Sequence, residues 1–100
     1  MTDFTRQVLD IIKSIPYGKV MTYGQIAAIA GNPRGARQVS RILHSMSGTH
    51  QLPWHRVINS KGGISLTGEG GFMQVQMLIN EGIEVKNKQV NLKEYLYQFD

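Results

Sequence analysis

His55 and Glu81 are the residue types in this 100-residue sequence best suited to moving a proton. A histidine titrates near neutral pH, and a carboxylate can orient its ring. A base with such a partner makes two members of a nucleophilic triad. The third member is missing. His55 stands in the string QLPWHRVINSKGG, residues 51–63, where its neighbour is Trp54. An indole offers a single N–H donor and cannot attack. Ser45, Ser47 and Ser60 are the substitutes on offer, but no nucleophile-elbow sequence surrounds them. The alternative is that His55 and Glu81 form a buried hydrogen bond that holds the loop, and the lack of a reactive partner favours it. Trp54 follows Pro53 in irregular sequence, so it is either a core residue or the wall of a cleft. Arg56 is expected to satisfy loop carbonyls with its several donors.

The chain contains no cysteine, which excludes disulfides, thiolate metal sites and a cysteine nucleophile. No His/Asp/Glu spacing suggests a metal. Gly68-x-Gly70-Gly71 is too short and badly placed for a dinucleotide or phosphate loop, so it reads as a flexible turn, and no cofactor is expected.

A second group of residues is cationic. Arg34, Arg37, Gln38, Arg41, His44 and Ser45 share one face of a helix expected at about 34–46. Ala36, Val39, Ile42, Leu43 and Met46 share the other. The bland reading of such a face is solvation. The net charge of +4 gives a weak preference for a polyanionic partner.

The elements that must position these groups are mostly helical. Phe4, Val8, Ile11, Ile12 and Ile15 are spaced for a helix over 3–15, with Thr2 as its cap and Pro16-Tyr17-Gly18 as its stop. Val20-Met21 is expected to be extended. Thr22 and Gln25 form a capping box for a short helix of small apolar residues that ends at Gly31. With the tight Asn32-Pro33 connection and the basic helix, residues 22–46 outline a helix-turn-helix. Residues 47–56 read as irregular. Val57-Ile58-Asn59, a Gly-rich turn and Ile64-Ser65 read as a hairpin in the place of a wing. A helix is expected near 71–82 with Phe72, Val75, Leu78 and Ile79 inward and Gly82 as its stop. Ile83-Glu84-Val85 reads as extended. Asn91 caps a last helical turn before Tyr95, Leu96, Tyr97 and Phe99.

The predicted fold is therefore mainly α with a small β-hairpin wing, a winged helix-turn-helix. It forms one domain over 1–100, with a pocket loop at 53–57 and a tail over about 86–100. Forty-one per cent apolar and 18% charged residues are an ordinary soluble profile. No apolar run approaches membrane-spanning length and the N-terminus lacks a signal-peptide core, so a cytoplasmic protein (nucleoid-associated if bacterial) with no membrane partner is expected.

The set IPYGKVMTYGQIA, ARQVSRIL, PWHRVINSKGGIS and NEGIEV resembles the alkyltransferase-like proteins. These are relatives of the O6-alkylguanine-DNA alkyltransferases with Trp in place of the active-site Cys. The resemblance runs from about residue 4 to 85. It implies that Arg37 enters the duplex in place of an extruded base and that Tyr23 crowds the 3′ phosphate. It implies that the basic helix lies in the minor groove through Arg34, Ala36, Arg37, Gln38 and Arg41, with Gly35 and Ala36 small for that reason. Tyr23, Leu43, Pro53, Trp54 and Val57 would form the lesion pocket, and backbone groups near Trp54 and Val57 would bond the flipped guanine. His55 and Glu81 would be remnants of thiol activation. The implied function is non-enzymatic recognition of O6-alkylguanine in duplex DNA by a monomer, shielding the lesion or flagging it for nucleotide excision repair proteins. A residual repair enzyme using His55 and Glu81, and a winged-helix transcription regulator, are the alternatives. Two departures stand out. Met46 replaces an asparagine that ties helix to active site in the enzymes, and Leu66-Thr67-Gly68-Glu69 does not follow their Asn-Tyr-Ser pattern.

Overall fold

The computed structural model describes residues 1–99. Helix α1 spans Asp3–Ser14, and the Thr2 hydroxyl accepts from the Thr5 N–H to cap it. Its inward stripe of Val8, Leu9, Ile11 and Ile12 follows the helical period. Helix α2, Tyr23–Ile29, begins at the expected capping box, with Thr22 and Gln25 bonding each other's backbone. Gly31 then turns the chain at φ +100°, a conformation that favours glycine. The Asn32 carbonyl accepts from Gly35 N–H at 2.8 Å and so closes the turn. Helix α3, Ala36–His50, follows.

Two boundaries of α3 differ from the sequence reading. It starts at Ala36, so Arg34 lies in the turn before it. It also continues through 47–50, because Gln51 adopts the left-handed conformation and caps it to Ser47 O. Gly35 has a reason to be small that is internal to the fold. A Cβ there would meet the Asn32 side chain and carbonyl at 3.0 Å and Phe4 at 3.1 Å.

The expected 57–65 hairpin is replaced by longer-range pairing. Strand β2, Val57–Ile58, runs parallel to β1, Met21–Thr22. The turn at 59–63 closes through Asn59 N–H to Gly63 O, but its far arm bonds residues 88–90 instead of folding back on β2. Strands β3, Val85–Lys86, and β4, Gln89–Val90, form a short antiparallel pair. Asn87 and Lys88 both have positive φ between them, the geometry of a tight hairpin turn. The result is a mainly helical helix-turn-helix protein with small strand pairs.

Helix α4, Gly68–Asn80, shows the largest departure. The Gly68–Gly71 segment forms its first turn instead of a flexible loop. Phe72 and Ile79 are exposed, and Gly71, Gln74 and Leu78 face inward. The rotation is set by Gly71, where a Cβ would lie 2.3 Å from the Leu66 carbonyl oxygen. That close crossing turns the Phe72 side outward. Helix α5, Leu92–Tyr95, is capped by Asn91 as expected. Tyr97 N–H then bonds Val20 O at 2.7 Å, and Gln25 bonds Tyr97 O, so the tail returns to the core.

Two apolar clusters result. One joins α1, α2 and α3 around Ile12, Ile26, Val39 and Leu43. The other gathers Val20, Ile58, Ile64, Leu78, Ile83 and Val90. The paired strands lie at their boundary, with Met21 and Val57 in the first and Ile58 in the second. The segment that follows β2's partner in sequence starts the recognition motif, and the segment before β2 holds Trp54. Two residue pairs thus join the helix-turn-helix to the 53–57 loop.

Candidate functional site

Residues Trp54–Arg56 form a single 3-10 turn leading into β2. Glu81, the residue that ends α4, lies beneath it. Its carboxylate accepts from His55 Nε2 at 2.6 Å, from Arg56 Nε and Nη2 at 2.8–3.0 Å, and from Gly18 N–H at 2.8 Å. Arg56 Nη1 also donates to Ile15 O at 2.9 Å, and the guanidinium stacks over Tyr17. Four segments are therefore tied together: the end of α1, the 16–18 turn, the Trp54 turn and the end of α4. Burial alone would raise the Glu81 pKa, but the Arg56, Gly18 and His55 donors outweigh it and bring it to about 2. The carboxylate is ionised at neutral pH and can only accept. His55 Nε2 therefore carries the proton. His55 Nδ1 is buried without a partner among the described residues. Arg56 is structural, as its sequence context suggested, and His55 and Glu81 do meet.

Above this knot lies a cavity of about 280 Å³ lined by Tyr23, Ser40, Leu43, His44, Ser47, Trp54 and Leu66. Trp54 is half-buried, its ring edge-on to His55. Leu43 is a core residue whose side chain reaches the cavity floor. Tyr23 sits in the first turn of α2, and burial raises its phenol pKa, so it remains a donor across the physiological range. A second cavity of about 430 Å³ adjoins the first and shares Tyr23, Ser40 and Leu66 with it. Val57, Arg37, Ala36, Asn59 and Gln74 line this one. Of the five pocket residues expected from sequence, Tyr23, Leu43 and Trp54 meet in one cavity. Val57 lines the neighbour, and Pro53 lines neither.

Helix α3 stands as an exposed ridge between two concavities. Arg37 is exposed in its first turn and forms no ion pair among the described residues. Ala36, Arg37 and Ser40 face the cavities near Trp54. Gln38 and Arg41 lie on the other flank, in a groove of about 540 Å³ with Phe4, Asn32 and Ile42. This larger concavity holds no acid–base pair and lies away from the Trp54 turn. The basic residues expected to act together thus divide between two flanks of one helix, with Arg34 before it.

Sequence reasoning did not place Ser40, Leu66 or Gln74 at the site, and named Ser47 only as a substitute nucleophile. Ser40, His44 and Ser47 lie three, seven and ten positions after Arg37, close to one helical stripe, so their spacing carried a signal. Leu66 and Gln74 had none, because they reach the site only through the crossing of α4. Met46, in place of the enzymes' asparagine, packs into the first apolar cluster and makes no polar tie.

Comparisons with known proteins identify the family. The family model for the DNA-binding domain of 6-O-methylguanine DNA methyltransferase matches residues 3–83. The DNA base-flipping protein of Escherichia coli is 43% identical over 97 residues, covering 96% of this chain and 75% of that one. Alkyltransferase-like protein 1 of Schizosaccharomyces pombe is 40% identical over 105 residues, covering 98% and 97%. The crystal structure of S. pombe Atl1 in complex with damaged DNA containing O6-carboxymethylguanine superposes with a TM-score of 0.87 at 40% identity, over 98% and 97% of the two chains. With a DNA-binding domain of the methyltransferase type, no cysteine, and Trp54 in the acceptor position of the Pro-x-His-Arg motif, the chain belongs to the alkyltransferase-like family.

Proposed function

We propose that this protein binds duplex DNA through α3, everts an O6-alkylated guanine into the cavity beside Trp54, and transfers nothing. The carrying observation is the cavity itself. Trp54, Tyr23 and Leu43 line it above an intact His55–Arg56–Glu81 knot, and the chain has no thiol to receive an alkyl group. The likeness to base-flipping and alkyltransferase-like proteins supports this reading.

Each step has a group suited to it. Everting a base costs a few kcal/mol and needs both a pocket and something to fill the gap. Arg37 projects from the start of α3 with no ion-pair partner among the described residues, so its guanidinium can enter the stack and meet the orphan base. Tyr23 lines both cavities beside α3, where its hydroxyl crowds the backbone of the rotating nucleotide. Arg34 and Arg41 add phosphate attraction on the outer flank. Ala36 keeps the leading edge of the helix narrow enough for a minor groove. The aromatic and aliphatic cavity wall favours the added alkyl group over bare guanine. Held in this way, the lesion is shielded, and the bound complex is the flag read by nucleotide excision repair proteins.

Affinities for matched duplexes carrying guanine or O6-methylguanine, at equal salt, test the proposal. Tighter binding to the lesion is expected. Equal affinities overturn lesion recognition.

A further inference from the structure

Gln74 is the one buried polar side chain of α4 among the described residues, 3% exposed. A buried amide is stabilising only if its hydrogen-bonding groups find partners. Its Nε2 donates to the carbonyls of His55 and Val57, each at 3.1 Å. With two carbonyl acceptors at one end, the amide can take only one orientation, nitrogen toward the Trp54 turn. These carbonyls belong to the residues on either side of Arg56, one in the turn that carries Trp54 and one at the start of β2. Gln74 also lines the cavity that holds Val57 and Arg37. An apolar side chain of similar length would fill the same space but leave both carbonyls without their donor.

We propose that Gln74 is a positioning residue of the lesion pocket, holding the His55 and Val57 carbonyls and with them the turn that sets Trp54 against its cavity. This rests on the function proposed above. A turn tied at two carbonyls keeps the Trp54 ring in place as the wall that meets the alkyl group, and a turn free to tilt does not. The role falls to α4 because α3 makes no polar tie to the turn through Met46. Gly71 makes the contact possible, since its close crossing against Leu66 turns Gln74 inward.

Gln74→Met keeps the length and removes the donors, and Gln74→Lys restores donors without the amide oxygen. Affinities for O6-methylguanine and guanine duplexes would be measured with carbonyl ¹³C shifts of His55 and Val57 in the free protein. For Gln74→Met the lesion-to-guanine affinity ratio should fall about tenfold, with undamaged-duplex affinity held within about twofold. Both carbonyl resonances should move upfield, and Gln74→Lys should recover ratio and shifts together. The proposal is overturned if Gln74→Met keeps the ratio, weakens both duplexes equally, or leaves the carbonyl shifts unmoved. It is also overturned if Gln74→Lys recovers the shifts but not the ratio. A wild-type protein with no lesion preference would sink the functional reading instead, and the shifts in free protein would still decide whether the clamp exists.

Discussion

Glu81→Gln offers the sharpest stability test, because one carboxylate joins three segments directly and a fourth through Arg56. Glu81 is 7% exposed at its side chain and Arg56 is 17% exposed. In the variant, the amide nitrogen faces donors from His55 and Arg56 and leaves the guanidinium without a counter-charge. Breaking a buried ion pair from one side costs about 3–5 kcal/mol, with the shared His55 and Gly18 bonds at risk as well. For a domain of this size that is a Tm fall of roughly 12 °C or more. The pH dependence carries an independent signature. The folded-state pKa of Glu81 is lowered from 4.5 to about 2. The unfolded chain therefore binds more protons between those values. The associated stabilisation, on the order of 3 kcal/mol at most, is fully present above about pH 4.5 and is lost as pH falls toward about 2. Urea unfolding followed by circular dichroism at pH 7, 4 and 3 would show it. The wild-type advantage over Glu81→Gln should be full at pH 7 and shrink at pH 3. An advantage below about 0.5 kcal/mol at pH 7, or one independent of pH, would refute the network account.

Other perturbations separate fold from recognition. Arg37→Ala should weaken binding to both guanine and lesion duplexes by about tenfold or more while stability, read by thermal melting, stays within about 0.5 kcal/mol, since the side chain is exposed. Gly71→Ala should destabilise by about 1–3 kcal/mol in urea melts because its Cβ would strike the Leu66 carbonyl, whereas Gly70→Ala, whose nearest neighbour is 3.8 Å away, should not. Trp54→Cys should give little or no alkyl transfer from O6-methylguanine DNA, read as protein mass, because Met46 offers no polar tie between helix and turn.

The parts of the fold set by local chemistry are legible in the sequence. The Thr2 cap, the Thr22–Gln25 box, the turn after Gly31 and the Asn91 cap each depend on residues within a few positions of one another. What depended on distant contact was not. The β1–β2 pair joins residues 36 positions apart through two residues each, and no turn signal precedes it. Apolar content favoured Phe72 and Ile79 as the inward face of α4, but backbone proximity at Gly71 fixed the rotation and buried Gln74 instead. The site divides in the same way. His55, Glu81, Trp54 and Tyr23 stood out by chemical type or motif, while Leu66 and Gln74 enter only through α4's packing. The two flanks of α3 could not be told apart from one helical stripe of cations.

Trp54 is the only tryptophan in the chain, so its fluorescence reports directly on the cavity. Titration with duplexes that differ by one O6-methyl group, at equal salt, tests the central claim. A saturable change in emission with the lesion duplex, a much weaker one with guanine, and intact O6-methylguanine recovered from the digested DNA are expected. Equal responses to both duplexes, or recovery of unmodified guanine, would contradict it.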